Sequence, residues 1–342
     1  MSPDGSTVTF TDSAPVRNPS GGCQPSGGAL VCAFRANLDL FLGDGDDTAR
    51  VVGTIPTRFT GGTGADSLIG GPADDSFNSE PVNLPPPDGP DAMVGGAGRD
   101  TVSYGGGHRG VSVSLDGVAN DGDPGEGDDV GADIEVVFGT AGDDTFIGAA
   151  GAQSFLGEDG DDVLDGGGGR DTLVGGDGTD LVSYARERAP VRIRVSRYED
   201  ETSDLTPTGN PDVFDDVEGV IGGQAGDVLI GDGFSNRLIG GRGNDRIAGG
   251  KGADVIDGGD GNDSIDAFDK ARDQVACGSG RDGLLADSRD AATRCEARQR
   301  GPALTVSALV LRRGQFHAIG RCSRYAVEPC AVHKRRRDLD QR

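Results

Sequence analysis

Apolar residues return every nine positions through two stretches of the chain. Gly139 to Ser183 divides into GTAGDDTFI, GAAGAQSFL, GEDGDDVLD, GGGGRDTLV and GGDGTDLVS. Gly222 to Asp266 divides into GGQAGDVLI, GDGFSNRLI, GGRGNDRIA, GGKGADVID and GGDGNDSID. Position eight is apolar throughout, as Phe146, Phe155, Leu164, Leu173 and Val182 show for the first block. One apolar residue flanked by polar ones predicts a very short strand with a single face inward. Glycine opens every unit and also holds position four throughout the first block. It permits positive φ and close backbone approach, as a tight corner requires. No unit can bury its lone apolar side chain, but a stack of units can. The period therefore predicts an all-β solenoid.

The other fixed feature is a carboxylate at position six, directly after the turn. It is Asp144, Asp162, Asp171 and Asp180 in the first block and Asp227, Asp245, Asp254 and Asp263 in the second. Stacking sets these carboxylates in rows roughly 5 Å apart, where they repel one another. A hard divalent cation with 6–8 oxygen ligands at about 2.3–2.6 Å turns that repulsion into attraction, with turn carbonyls completing the set. The residue types point to Ca²⁺.

This pattern resembles the RTX (repeats-in-toxin) nonapeptide G-G-x-G-x-D-x-U-x, the haemolysin-type calcium-binding repeat. The resemblance implies a parallel β-roll. Alternate repeats then lie on the same side and share a Ca²⁺ ion through position-six Asp and turn carbonyls, several ions in all. Gln153 and Asn236 replace Asp at position six, and Ala225 replaces the second-turn Gly. Sites that share those units are expected to be weaker or empty.

The same pattern extends upstream. Leu42–Arg50 is a degenerate unit with Asp47 at position six. Gly61–Asn78 gives two good units with Asp66 and Asp75. A Pro-rich excursion ends in PPDGPDAMV, and Gly95–Ser103 carries Asp100. The chain then repeats on a larger scale. GGAGRDTVSY (95–104) matches GGDGTDLVSY (175–184), and each is followed by an alternating strand, Val111–Leu115 or Val191–Val195. Each continues through an acidic or polar loop and returns by Asp133-Ile-Glu135 or Asp216-Val-Glu218. These read as two copies of one insertion, at about 104–138 and 184–221, adding longer strands and a protruding loop. The loop Asn120–Asp129 reads first as a solvated acidic loop, with an extra Ca²⁺ site as the alternative.

The ends differ from the repeats. Residues 1–41 form a β-rich segment in which Cys23 and Cys32 enclose a Gly/Pro turn. A disulfide-closed hairpin is the first reading and two free thiols the alternative. The roll is expected over 42–285 and a C-terminal cap over 286–301. The cap has some helix propensity and is pinned by Cys277–Cys295, since an open solenoid end exposes core and strand edges. Residues 302–342 read as a basic tail or truncated β-module, with Cys322–Cys330 closing a small loop. The His333–Arg337 run reads first as a solvated tail, with anionic-surface binding as the alternative. The fold class is thus an all-β parallel β-roll with two insertions and disulfide-pinned ends.

Charge sharpens the picture. The chain has 32 basic and 57 acidic residues, a net of −25. Residues 302–342 hold nine Lys/Arg and three Asp/Glu, so residues 1–301 carry −31. Such a segment repels itself without counter-ions and has the wrong sign for nucleic acid. With 61 Gly and no Trp, this composition ordinarily means disorder, and the strict period argues instead for a fold that needs metal. No apolar run is long enough to span a membrane. MSPDGSTVTF lacks the basic and apolar regions of a signal peptide. A secreted or cell-surface location is nevertheless expected, because weak repeats need about millimolar Ca²⁺ and the cysteines come in near pairs. The biological start then lies elsewhere, or export uses an uncleaved signal, as the resemblance implies.

Catalytic signatures are lacking. There is no H-E-x-x-H, no G-x-S-x-G and no G-K-[ST], and the three His residues, His108, His317 and His333, lie far apart. The expected function is calcium binding with calcium-induced folding, not catalysis. Two alternatives stand beside it. One is an adhesin or surface-layer spacer whose insertion loops bind a cell-surface or matrix partner. The other is the secretion and folding module of a larger secreted enzyme.

Overall fold

The computed structural model describes residues 7–11, 23–26, 29–33, 37–78, 89–107, 109–195, 212–300, 308–312 and 315–319. Cys322 and Cys330, the His333–Arg337 run and most of the second insertion loop lie outside them. Every regular element among the described residues is a strand, and none is an α-helix. Among the described residues no helix is long and apolar enough to cross a membrane. The chain divides into two compact units: Met1–Arg186 with Val191–Ile221, and Glu187–Pro190 with Gly222–Arg342.

In each unit, strands eighteen residues apart pair in parallel, so alternate nonapeptides stack on the same face. Thr145–Ile147 pairs with Val163–Asp165, and Val163–Asp165 with Leu181–Ser183. The opposite face runs through Val136–Phe138, Ser154–Asp159 and Thr172–Asp177. The second unit repeats the scheme, with Val228–Ile230 against Arg246–Ala248 and Arg237–Ile239 against Val255–Asp257. This is the all-β solenoid that the nine-residue period predicts, in the parallel β-roll form that the RTX resemblance implies.

The core is built of ladders of position-eight side chains in register. One row of the first unit reads Leu40, Phe59, Phe77, Val102, Val137, Phe155, Leu173 and Phe214. Another reads Val113, Phe146, Leu164, Val182 and Val220. The second unit stacks Leu229, Ile247, Ile265 and Leu284 on one face and Leu238, Ile256 and Val275 on the other. All of these are buried. Phe59 and Phe77 stack with ring centroids 4.8 Å apart. Parallel stacking places each side chain directly over its counterpart, so a single apolar residue per unit makes a continuous core.

The insertions continue these ladders. The alternation over 111–115 and 191–195 predicts longer strands, but each regular strand is only three residues, Ser112–Ser114 and Arg192–Arg194. The partner of Ser112–Ser114 is Thr145–Ile147, itself three residues long, so pairing ends with it.

Each unit carries further β-structure beside its repeats. Thr7–Thr11 pairs antiparallel with Thr48–Val52 and with Ala29–Ala33, and Cys23 lies opposite Cys32 in the adjoining hairpin. In the second unit the helix propensity of 286–300 is overridden: Ala291–Thr293 and Ala297–Arg300 add as parallel strands to Gln274–Ala276 and Gly283–Ala286. Open ladder edges offer unpaired backbone groups along the whole segment, and these outweigh a weak helical preference. Cys277 and Cys295 form a disulfide across this end, with Cα atoms 5.1 Å apart.

Candidate metal centre

All eleven aspartates that the repeat pattern singles out are buried: Asp66, Asp75, Asp100, Asp144, Asp162, Asp171, Asp180, Asp227, Asp245, Asp254 and Asp263. The roll gathers them into rows. In each row, Oδ1 of one aspartate accepts the backbone N–H of the position-six residue one coil earlier. Asp144 N–H donates to Asp162 at 2.7 Å and Asp162 N–H to Asp180 at 2.8 Å. In the second unit Asp227 donates to Asp245 and Asp245 to Asp263, at 2.8 and 2.9 Å. Asp75 donates to Asp100 at 2.7 Å, and Asp47 to Asp66 at 2.8 Å.

The second oxygen behaves differently. In Asp75, Asp144 and Asp227, Oδ2 accepts the N–H of the second residue of its own unit: Gly71, Thr140 or Gly223. In Asp100, Asp162, Asp171, Asp180, Asp245, Asp254, Asp263, Asp273 and Asp282, Oδ2 is buried with no hydrogen-bond partner. A buried, unsatisfied carboxylate oxygen is costly, and here the arrangement recurs at nine aspartates.

The surroundings of that oxygen explain the opening glycine. A Cβ on Gly157 would meet Oδ2 of Asp162 and the carbonyl of Gly175. One on Gly175 would meet Asp180 Oδ2 and the carbonyl of Asp216. One on Gly240 would meet Asp245 Oδ2 and the carbonyl of Gly258. The space a side chain would fill is thus lined by one carboxylate oxygen and one carbonyl oxygen from the next coil. No three Asp, Glu, His or Cys side chains converge as a metal cage among the described residues. An ion at these turns must therefore draw on backbone carbonyls, which suits calcium's preference for many hard oxygens.

Electrostatics agree with this geometry. Burial, reinforced by neighbouring carboxylates, pushes Asp162, Asp171, Asp245 and Asp254 up to about 7. It pushes Asp100, Asp180, Asp263 and Asp273 up to about 6. Each is partly offset by the N–H it accepts. The rows resist ionisation when bare and would ionise readily beside a divalent cation.

A protein-family model for the RTX calcium-binding nonapeptide repeat, a unit of four copies, matches residues 57–81, 88–109, 125–152, 147–182, 221–252 and 230–265. The chain carries RTX calcium-binding nonapeptide repeats in several copies. These repeats bind Ca²⁺, several ions to a repeat region. No curated protein matches the chain.

Several members of the RTX rows break the nonapeptide spacing. Glu135 and Glu218 extend them across the insertions, accepting the N–H of Asp100 at 2.8 Å and of Asp180 at 2.9 Å. They close the Asp133-Ile-Glu135 and Asp216-Val-Glu218 motifs, which was the one available signal. Asp128 and Asp212 accept the N–H of Asp91 and Asp171, each at 2.9 Å. Asp290 and Glu296 end the rows of the second unit. A second, exposed ladder runs at position five in the opposite sense. Asp161 N–H donates to Asp143 at 3.0 Å, and Asn262 N–H to Asn244 at 2.7 Å.

The acidic insertion loop is internally satisfied. Asp121 accepts from Ser114 and Val130 at 2.6 and 2.9 Å, and Glu126 accepts the N–H of Asp123 at 2.7 Å.

Proposed function

We propose that this protein is a secreted or cell-surface calcium-binding β-roll whose folding is driven by calcium. The proposed ligands are Asp66, Asp75, Asp100, Asp144, Asp162, Asp171 and Asp180 in the first unit and Asp227, Asp245, Asp254 and Asp263 in the second, each acting with turn carbonyls. The observation that carries the reading is the set of buried, partnerless Oδ2 atoms facing the glycine cradles. A folded chain gains nothing from leaving such oxygens dry and unpaired unless a cation completes them.

The mechanism is linkage. Calcium binds the ordered turn and not the unfolded chain, so each site adds stability by mass action, about 2.7 kcal/mol at a free concentration 100 times its Kd. Neutralising the acidic rows also removes the self-repulsion of the −31 segment. Where calcium is scarce, inside a cell, the regular repeats are only marginally ordered. Outside, at about millimolar calcium, they fold. The chain acts as a binding module and not as an enzyme, a reading supported by the uniform use of its carboxylates in one repeated role.

Far-UV circular dichroism during a calcium titration, with magnesium as control, tests this. A cooperative rise in β signal with calcium alone is expected. A β signal already complete in chelator, or unmoved by millimolar calcium, would remove the reading.

A further inference from the structure

At three rungs of the first unit a side-chain donor stands at the position where Asp100, Asp162, Asp171 and Asp180 leave an oxygen bare and where Asp75 and Asp144 accept a backbone N–H of their own turn. Asp128 and Asp212 play the position-six part in the two insertions, and their Oδ1 atoms accept ladder N–H groups. Their Oδ2 atoms, the counterparts of the bare oxygens of Asp162 and Asp171, accept tyrosine hydroxyls. Tyr104 donates to Asp128 at 3.1 Å and Tyr184 to Asp212 at 2.8 Å. The two tyrosines close the duplicated GGAGRDTVSY and GGDGTDLVSY segments, so one device has been used twice.

The third rung is the unit in which Gln153 replaces Asp. With its amide oriented to satisfy its surroundings, Nε2 donates to the carbonyls of Gly151 at 2.6 Å and Gly166 at 3.2 Å. Carbonyl oxygens that could serve an ion are here serving an N–H. Beside it, the Arg186 guanidinium donates to the carbonyl of Gly148, the residue that opens the Gln153 unit, at 3.1 Å. It also grips Asp165 through two contacts of 2.8 and 2.9 Å. A fixed cation stands against the same turn. Asn236, the other departure from Asp, behaves otherwise. Its Oδ1 accepts the N–H of Asp232 at 2.8 Å and keeps an oxygen at its cradle.

We propose that these three rungs are calcium-independent clasps: the hydroxyls of Tyr104 and Tyr184, and the Gln153 amide with the Arg186 guanidinium, do internally what calcium does at the regular repeats. The inference rests on the calcium reading of the regular rows. A donor attached to the chain is present at any calcium concentration, and it satisfies a buried oxygen that would otherwise oppose folding. The described residues of the second unit contain no tyrosine, so the bare oxygens of Asp245, Asp254, Asp263 and Asp273 have no tyrosine clasp in their unit, whereas those of Asp100, Asp162, Asp171 and Asp180 share the first unit with all three clasps. The first unit therefore keeps local order in calcium-free surroundings, and calcium extends it in a second stage.

Hydrogen–deuterium exchange of the full chain, stripped with chelator and then titrated with calcium, separates the two kinds of rung. The amides of Asp91 and Asp171, which donate to the tyrosine-capped carboxylates, should exchange slowly before calcium is added. Those of Asp144 and Asp227, which donate to Asp162 and Asp245, should slow only afterwards. Tyr184→Phe keeps the ring against Phe214 but removes the donor. It should speed metal-free exchange at Asp171 about tenfold to a hundredfold, with calcium restoring protection. Gln153→Asp gives a second arm: it should convert its rung to a calcium-dependent one and raise the calorimetric ion count. Protection arising at one calcium concentration in every rung, or exchange unchanged in both variants, would overturn the proposal and leave the calcium reading intact. Exchange that calcium alters nowhere would remove the calcium reading itself.

Discussion

Asp162 and Asp180 stand one coil apart, and each uses its two carboxylate oxygens for different ends. Oδ1 of Asp180 accepts the backbone N–H of Asp162 at 2.8 Å, while Oδ2 of both residues is buried without a partner. One oxygen holds the ladder and the other is left for a cation, so the two roles can be separated by mutation. Asp162→Asn keeps an oxygen for the N–H of Asp144 but removes the charge. The metal-free protein should gain stability, and its calcium-induced rise in melting temperature should shrink. Asp162→Ala loses the acceptor as well, leaving a buried N–H unsatisfied at a cost of about 1–3 kcal/mol. It should melt lower than the Asn variant in chelator. Thermal unfolding with and without calcium distinguishes the two.

Proton linkage follows from the raised carboxyls, and its sign is opposite to that of an ordinary salt-bridged aspartate. Asp162, Asp171, Asp245 and Asp254 are pushed up to about 7 from 3.8. The folded, metal-free state therefore binds protons that the unfolded chain releases. Their contribution to stability is fully present below about pH 4 and is lost as pH rises through about 7. Stripped protein should melt higher at pH 5 than at pH 8. Calcium competes with those protons, so its affinity should climb over the same window and its binding should release protons. Calorimetry in buffers of different ionisation enthalpy counts the protons released, and a count of zero would contradict the raised values.

The opening glycine of each unit is constrained by space. Gly157 has no positive φ, yet a Cβ there would collide with Asp162 Oδ2 and the Gly175 carbonyl. Gly157→Ala should abolish the calcium response of that rung and destabilise the fold. Gly233→Ala is the control: a Cβ there meets nothing within 4 Å, and the change should stay within about 0.5 kcal/mol. Equal melting temperatures for the two variants would show that the cradle is not rigid.

The core and the metal rows separate in the same way. Leu164 is fully buried between Phe146 and Val182 in its ladder. Leu164→Ala should cost about 2–5 kcal/mol through the cavity it leaves. The calcium midpoint should rise while the number of ions bound at saturation stays constant. A lower ion count would mean that position eight takes part in the sites directly.

What could be read from the sequence was whatever keeps the period. Phe146, Leu164 and Val182 share both position and neighbours, so their ladder is legible, as are Asp144, Asp162 and Asp180 beside it. Glu135 and Glu218 join the rows of Asp100 and Asp180 across sequence gaps of 35 and 38 residues. Nothing in a nine-residue template marks them, although the repeated Asp-apolar-Glu hints at a shared role. The tyrosine caps are harder still. Tyr184 finds Asp212 only because the ladder returns the chain to the same rung 28 residues later. At the C-terminal end, Ala291–Thr293 carries no strand signal of its own and is a strand because Gln274–Ala276 offers it an edge.

That same end supplies the last test. Cys277 takes the place of an opening glycine, and its carbonyl lies beside the Gly258 cradle of Asp263. The disulfide to Cys295 spans 18 residues, one coil, and holds the terminal strands against the open edge of the second unit. Closing a loop of that size is worth about 3 kcal/mol through the unfolded chain. Cys277→Ser with Cys295→Ser, or mild reduction, should lower the melting temperature. Because calcium and the disulfide both favour the folded end, the loss should be greatest in chelator and partly recovered by calcium. Exchange should quicken first in 274–300, while the ladder from Phe59 to Leu173 in the first unit keeps its protection. If reduction instead loosened both units equally, the Cys277–Cys295 bond would be sustaining the whole molecule and not acting as a local pin.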